Sequence, residues 1–167
     1  MNTVTDNIFS VKGRVALVSG ASSGLGEHIA EMLADNGVAV VCAARRMDLL
    51  ESLADRIKAK GGKALAVAMD VTDRASVKAG FDVAEKEFGT PDIVVCNAGA
   101  TGRQPFIEME EDNWDHVLNV NVKGVFNLAQ EGAQRLVAAG KPGNIINISS
   151  ICAVSSFMGL THYSASK

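Results

Sequence analysis

Tyr163 and Lys167 stand four residues apart in a chain of 167 residues, a spacing that on a helix puts both side chains on one face, one turn from each other. An ammonium beside a phenol favours the phenolate, and so draws the tyrosine pKa from its ordinary value of about 10 towards working pH. A tyrosine tuned in this way can give and take a proton. Spacing alone fits an ordinary exposed helix pair as well. Ser150, thirteen positions before Tyr163, follows an apolar run, where a hydroxyl can serve chemistry or simply end a strand.

A second stretch suits a phosphate. Ser19-Gly20-Ala21-Ser22-Ser23-Gly24-Leu25-Gly26 follows the apolar run Val15-Ala16-Leu17-Val18 and leads into a segment of helical periodicity. Three glycines let the backbone turn sharply and approach a ligand with no Cβ in the way, and the first N–H groups of the helix point at that ligand. A pyrophosphate fits such a place.

These residues need elements to hold them. Leu25, Ile29, Met32 and Leu33 repeat as one inward helical face that Asn36-Gly37 ends. Val38–Ala44 is an apolar run of strand length, and Leu49, Leu50, Leu53 and Ile57 form the next helical stripe, closed by Gly61-Gly62. Ala64–Met69 is a third strand. Asp70 to Asp73 offers caps for a helix with Val77, Phe81, Ala84 and Phe88 inward, which Gly89 and Pro91 stop. Ile93–Cys96 is a fourth strand, followed by Asn97-Ala98-Gly99 and a polar loop through Glu111. One long helix is expected over about 113–139, with Trp114, Leu118, Val125, Leu128 and Leu136 inward. Asn121 falls on that face, where a polar side chain must find partners. Lys141-Pro142-Gly143 breaks the helix, Asn144–Ile148 is a fifth strand, and Ser149-Ser150 stands at its carboxyl end. Apolar strands alternating with one-faced helices make an α/β fold, a doubly wound parallel sheet covered on both sides. Ligands of such sheets bind at the carboxyl ends of the strands, where Gly20 to Gly26, Arg45, Asp70, Asn97 to Gly99 and Ser150 all fall.

The length and a hydrophobic fraction of 47% suit a single domain, residues 1–167, with a real core. A net charge of −3 gives no electrostatic footprint for nucleic acid or an anionic membrane. No apolar run has the length needed to cross a bilayer, and Met1 to Arg14 has no basic-then-apolar signal pattern, so the cytoplasm is the expected compartment. Cys42, Cys96 and Cys152 sit among apolar residues and read as small hydrophobes, with no metal role. No Lys-Ser/Thr follows Gly26, which sets aside a P-loop hydrolase, and the partner motifs of a protein kinase are missing.

The glycine turn, Asn97-Ala98-Gly99, Asn121, Ser150 and Tyr163-Ser164-Ala165-Ser166-Lys167 occur together in an order that resembles the short-chain dehydrogenase/reductase family from Val11 onward. The family's Thr-Gly-x-x-x-Gly-x-Gly appears with Ser19 keeping the hydroxyl of the threonine, and its Asn-Asn-Ala-Gly appears as Cys96-Asn97-Ala98-Gly99. The resemblance implies a Rossmann fold and an oxidoreductase that interconverts a ketone or aldehyde and an alcohol. Tyr163 would be the acid/base, Ser150 would hydrogen-bond the substrate oxygen, and Lys167 would tune Tyr163 and hold the nicotinamide ribose. Asn121 would anchor a water in a proton relay from Lys167. Gly20, Ser22, Ser23, Gly24, Leu25 and Gly26 would bind the cofactor phosphates, Asp70 and Val71 would meet the adenine, and Asn97, Ala98 and Gly99 the adenosine ribose.

NAD-specific members would carry an acidic residue at the end of the second strand, about twenty residues beyond the glycine turn. Arg45 and Arg46 stand there, no carboxylate follows until Asp48, and a guanidinium can grip a 2′-phosphate in bidentate fashion. NADP is therefore expected over NAD. The alternative is a catalytically inactive nucleotide-binding module or an inactive fragment, against which the full Ser150/Tyr163/Lys167 set argues. The family usually continues past its Tyr-x-x-x-Lys motif with further strands, a substrate lid and a helix used in oligomer contacts. A chain ending at Lys167 is thus expected to be C-terminally incomplete, and inactive and poorly soluble in that form, with dimers or tetramers implied for the full length. The loop Ala100 to Glu111 and the stretch Ile151 to His162, with Phe157, Met158 and Leu160, would wall a small-molecule site. 3-Oxoacyl thioesters, sugars or polyols and simple ketones all stay open as substrates.

Overall fold

A computed structural model describes residues 9–167, so most of the segment read above for a signal pattern lies outside the described residues. Five strands, β1 (Val15–Ser19), β2 (Ala39–Ala44), β3 (Lys63–Ala68), β4 (Ile93–Cys96) and β5 (Asn144–Asn147), form one sheet in the order β3-β2-β1-β4-β5. Every pairing is parallel. The order reverses between β1 and β4, which opens a crevice at their carboxyl ends.

Helices α1 (Gly24–Asp35), α2 (Met47–Ala59) and α3 (Arg74–Phe88) follow the first three strands. Side chains alternate across the sheet, so Ala16, Val18, Val40 and Cys42 pack with α1 and α2, whereas Leu17, Val41, Ala43 and Val94 pack with Val77, Phe81 and Ala84 of α3 and with Leu128. Burial raises the Cys42 thiol to about 12 and that of Cys96 to about 11, which keeps both protonated among their apolar neighbours. Asp73 caps α3 by accepting from Ala75 N at 2.9 Å. At the opposite end of the sheet from the crevice, Arg14 donates to Asp92 Oδ1, Asp92 O and Asn144 Oδ1, tying β1 to the starts of β4 and β5.

Two expectations are corrected. The inward face of α1 is Gly26, Ala30 and Ala34, with Ile29 and Leu33 half-buried beside them, while Leu25 and Met32 are exposed. Small residues let α1 lie close on the sheet, and a pattern count weighted towards large apolar side chains rotates that face away. The long helix also begins earlier and is not uniform. It runs as α4 (Glu111–Leu118), a π-helical turn (Asn119–Lys123) and α5 (Gly124–Ala139), and the wide turn carries Asn121. A final short helix, α6 (Thr161–Ser166), carries Tyr163.

Candidate active site

Ser19, buried at the end of β1, stitches two strand ends together. Its hydroxyl donates to Val95 O at 3.1 Å and accepts from the backbone N–H groups of Asn97 and Ala98 at 3.0 and 3.1 Å. Asn97 Nδ2 returns the link by donating to Ser19 O at 3.0 Å. Over this seam the turn is so tight that a Cβ on Gly26 would stand 2.5 Å from Asn97 Nδ2 and collide with Gly20 O. Gly24 lies at φ +61° with open space where its Cβ would be, so its backbone is accessible to a ligand.

Beyond the turn lies a cavity of about 550 Å³ lined by Gly20, Ser22 and Ser23 after β1, Arg45 and Arg46 after β2, Asp70 and Val71 after β3, and Asn97, Ala98 and Gly99 after β4. Arg46 crosses back to the turn, donating from Nε and Nη2 to Ser22 Oγ at 3.2 and 2.9 Å and from Nη2 to Ser23 Oγ at 2.7 Å. Guanidinium protons remain for an incoming anion. Asp70 Oδ1 accepts from Thr72 Oγ1 and Thr72 N at 2.7 and 2.9 Å. Those two bonds, helped by the charge of Arg45, hold its carboxyl below the usual carboxylate range against partial desolvation. Asn127, buried on α5, donates to Val71 O at 2.9 Å and fixes the same loop from below.

Across the crevice, Lys167 Nζ donates to Ile148 O at 2.9 Å and stands 5.7 Å from the centre of the Tyr163 ring. Burial pushes the Lys167 pKa down. Ser149 Oγ donates to Lys167 O at 3.1 Å. Ser150 Oγ accepts from Cys152 N at 3.1 Å, capping a short 3₁₀ turn (Ile151–Ala153), and so keeps its own proton for another acceptor. Asn121 spends both amide protons and one acceptor bond: Oδ1 accepts from Ala100 N at 2.7 Å, and Nδ2 donates to Ala100 O at 2.9 Å and to Ser166 Oγ at 2.7 Å.

The two halves meet at Gly99. A Cβ there would lie 3.3 Å from Asn121 Oδ1 and 3.6 Å from Lys167 Nζ, while Gly99 itself lines the nucleotide-sized cavity. Of the residues singled out in the sequence, ten form the cavity wall. Gly26 lies beneath that wall, Gly24 and Leu25 start the helix beside it with the Leu25 side chain in solvent, Asn121 is joined to Tyr163 O through Ser166, with Lys167 Nζ beside the Tyr163 ring, and Ser150 caps the turn after β5. Thr72, Asn127 and Ser166 escaped the sequence reading. Asn127 had a signal, since it is a second asparagine beside the core residue Leu128; Thr72 and Ser166 are small hydroxyls in segments full of them.

A seam between β1 and β4, a glycine turn and an open crevice define a Rossmann-type nucleotide-binding domain. Residues 14–167 match the family model described as short chain dehydrogenase, and the chain belongs to that family. Among solved structures it is similar to a short-chain type dehydrogenase/reductase from Mycobacterium marinum, at TM-score 0.93 and 37% identity over 99% of this chain and 67% of that one. It is also similar to a gluconate 5-dehydrogenase from Burkholderia cenocepacia solved with NADP and tartrate, at TM-score 0.89 and 37% identity over 95% of this chain and 62% of that one. The 3-oxoacyl-(acyl-carrier-protein) reductase FabG of Thermotoga maritima is 34% identical over 94% of this chain and 63% of its own length. The chain spans less than two thirds of the length of the curated relatives it matches. Among the described residues, no helix is long and apolar enough to cross a membrane, and no three or more His, Cys, Asp or Glu residues cluster as metal ligands would.

Proposed function

We propose that this domain serves an NADP(H)-dependent oxidoreductase that interconverts a small carbonyl compound and its alcohol. The observation that carries the proposal is Gly99, which borders the cavity on one side and Lys167 Nζ and Asn121 on the other. A dinucleotide fits the residues present: the Gly24 backbone faces open space, the N–H groups at the start of α1 suit the pyrophosphate, and Gly20, Ala98 and Gly99 line the cavity. When bound, the nicotinamide nucleotide supplies or takes up the hydride. Tyr163 gives its phenolic proton to the carbonyl oxygen, or takes the alcohol proton in reverse. Ser150, with a lone pair already occupied by Cys152 N–H, presents its proton to the same oxygen and stabilises the charge that develops there. Lys167 uses one donor on Ile148 O, turns the others to the ribose, and sets a positive charge beside the Tyr163 ring. Asn121 holds the Ala100 backbone and, with a lone pair left on Oδ1, closes a relay through water from Lys167.

Arg46 favours the 2′-phosphate form. It is already seated against the glycine turn by Ser22 and Ser23, so a phosphate meets a guanidinium that loses little freedom on binding. NADPH and NADH consumption by the protein at its natural full length, followed at 340 nm against a 3-oxoacyl thioester, a 5-keto sugar acid and a simple ketone, tests the reading. NADPH should be consumed with at least one of them, about tenfold faster than NADH at equal concentration. Tight NADPH binding with no consumption on any carbonyl would favour the inactive nucleotide-binding module.

A further inference from the structure

The geometry points to Ser166 as a positioning residue, the joint through which the nucleotide side of the crevice sets the pitch of the Tyr163–Lys167 turn. The inference rests on the proposed role of Tyr163. Its basis is a chain of four hydrogen bonds whose direction is forced. Ala100 N–H can only donate, so Asn121 must present Oδ1 to it and Nδ2 to Ala100 O. The second Nδ2 proton then goes to Ser166 Oγ at 2.7 Å. Having accepted there, the Ser166 hydroxyl sends its own proton to Tyr163 O at 2.7 Å.

The consequence is mechanical. Helix α6 carries Tyr163, and its tie to Asn121 joins it to the nucleotide side of the crevice. Lys167 N reaches Ser164 O at a long 3.3 Å, whereas the Tyr163 carbonyl is held by a side chain anchored 45 residues away in sequence. Ala100 directly follows Gly99, so a shift of the cavity wall passes through Asn121 and Ser166 to the residue that moves the proton. The chain also couples the two ends of the Tyr-x-x-x-Lys turn, because Ser166 adjoins Lys167. Removing the hydroxyl strands an Asn121 proton and a Tyr163 lone pair in a half-buried place, and the turn relaxes to find them other partners.

The test compares Ser166→Ala, Ser166→Thr and Tyr163→Phe with the wild-type protein. Ser166→Ala should lower kcat about tenfold while KM for NADPH stays within about twofold, because displacement of the acid/base costs rate and leaves the nucleotide wall in place. Ser166→Thr keeps the hydroxyl and should recover at least half of kcat. Independently of turnover, the Ala100 amide should exchange with solvent several-fold faster in Ser166→Ala and not in Ser166→Thr. Equal loss in the Ala and Thr variants, or unchanged Ala100 exchange in Ser166→Ala, would overturn the inference. Full activity in Tyr163→Phe would instead overturn the role of Tyr163, and the exchange result would still report on the joint.

Discussion

The two sides of the crevice are built differently. The side formed by β1, β2 and the end of β4 is made of buried strands whose polar groups are met by backbone and by the Ser19 hydroxyl, with Ala16, Leu17, Val18 and Val41 fully out of solvent. The side carrying Ser150, Tyr163 and Lys167 follows β5, and there Lys167 Nζ donates to Ile148 O, Ser149 Oγ to Lys167 O and Ser166 Oγ to Tyr163 O. The first side resembles a preformed mould, and the second is placed by single hydrogen bonds. Substitutions on the first side should therefore cost folding and nucleotide affinity together, and those on the second should cost rate while leaving the fold alone.

Gly26→Ala should give the largest effect. Its Cβ would meet Gly20 O and Asn97 Nδ2, so a loss of about 3 kcal/mol in stability and weakened nucleotide binding are expected in denaturant melts and NADPH titrations. Ser150→Ala should do the reverse, lowering kcat about a hundredfold with a stability change under about 1 kcal/mol, since only the Cys152 N–H cap of a short turn is lost. Equal stability losses in the two variants would erase the contrast between the two sides. Arg46→Ala should reduce the preference for NADPH over NADH about tenfold, measured as the ratio of dissociation constants.

Asp70→Asn should have the smallest effect, and one that depends on pH. The Asp70 carboxyl is depressed in the folded protein by the Thr72 bonds, so its contribution to stability is present above its unfolded value near 3.9 and fades as pH falls through the lower folded value. Melts at pH 7 should favour the wild type, and the difference should vanish in strong acid. A difference that persisted there would point to packing and not charge.

How far the sequence could be read follows the same division. The order of strands and helices, the parallel sheet and the strand-end location of the cavity residues were legible, because continuous apolar runs of strand length, helical-period stripes and glycine or proline stops are local signals. Leu25 and Met32 misled because the closest helix-to-sheet contact is made by glycine and alanine, which carry little hydropathy signal. The π turn left no mark in composition, although Asn121 on an apolar face hinted at an irregularity. Ser166 could not be told from Ser164 in Tyr163-Ser164-Ala165-Ser166-Lys167, since its partner Asn121 comes from a distant segment and only the fold brings the two together.

Single-turnover mixing tests the central claim most directly: protein in excess over NADPH, combined with a carbonyl that the steady-state survey has picked out, and absorbance followed at 340 nm. The account predicts a full decay for the wild type, and for Tyr163→Phe a decay slowed by at least about a thousandfold while NADPH fluorescence shows the nucleotide still bound. A Tyr163→Phe decay as fast as the wild type would contradict it.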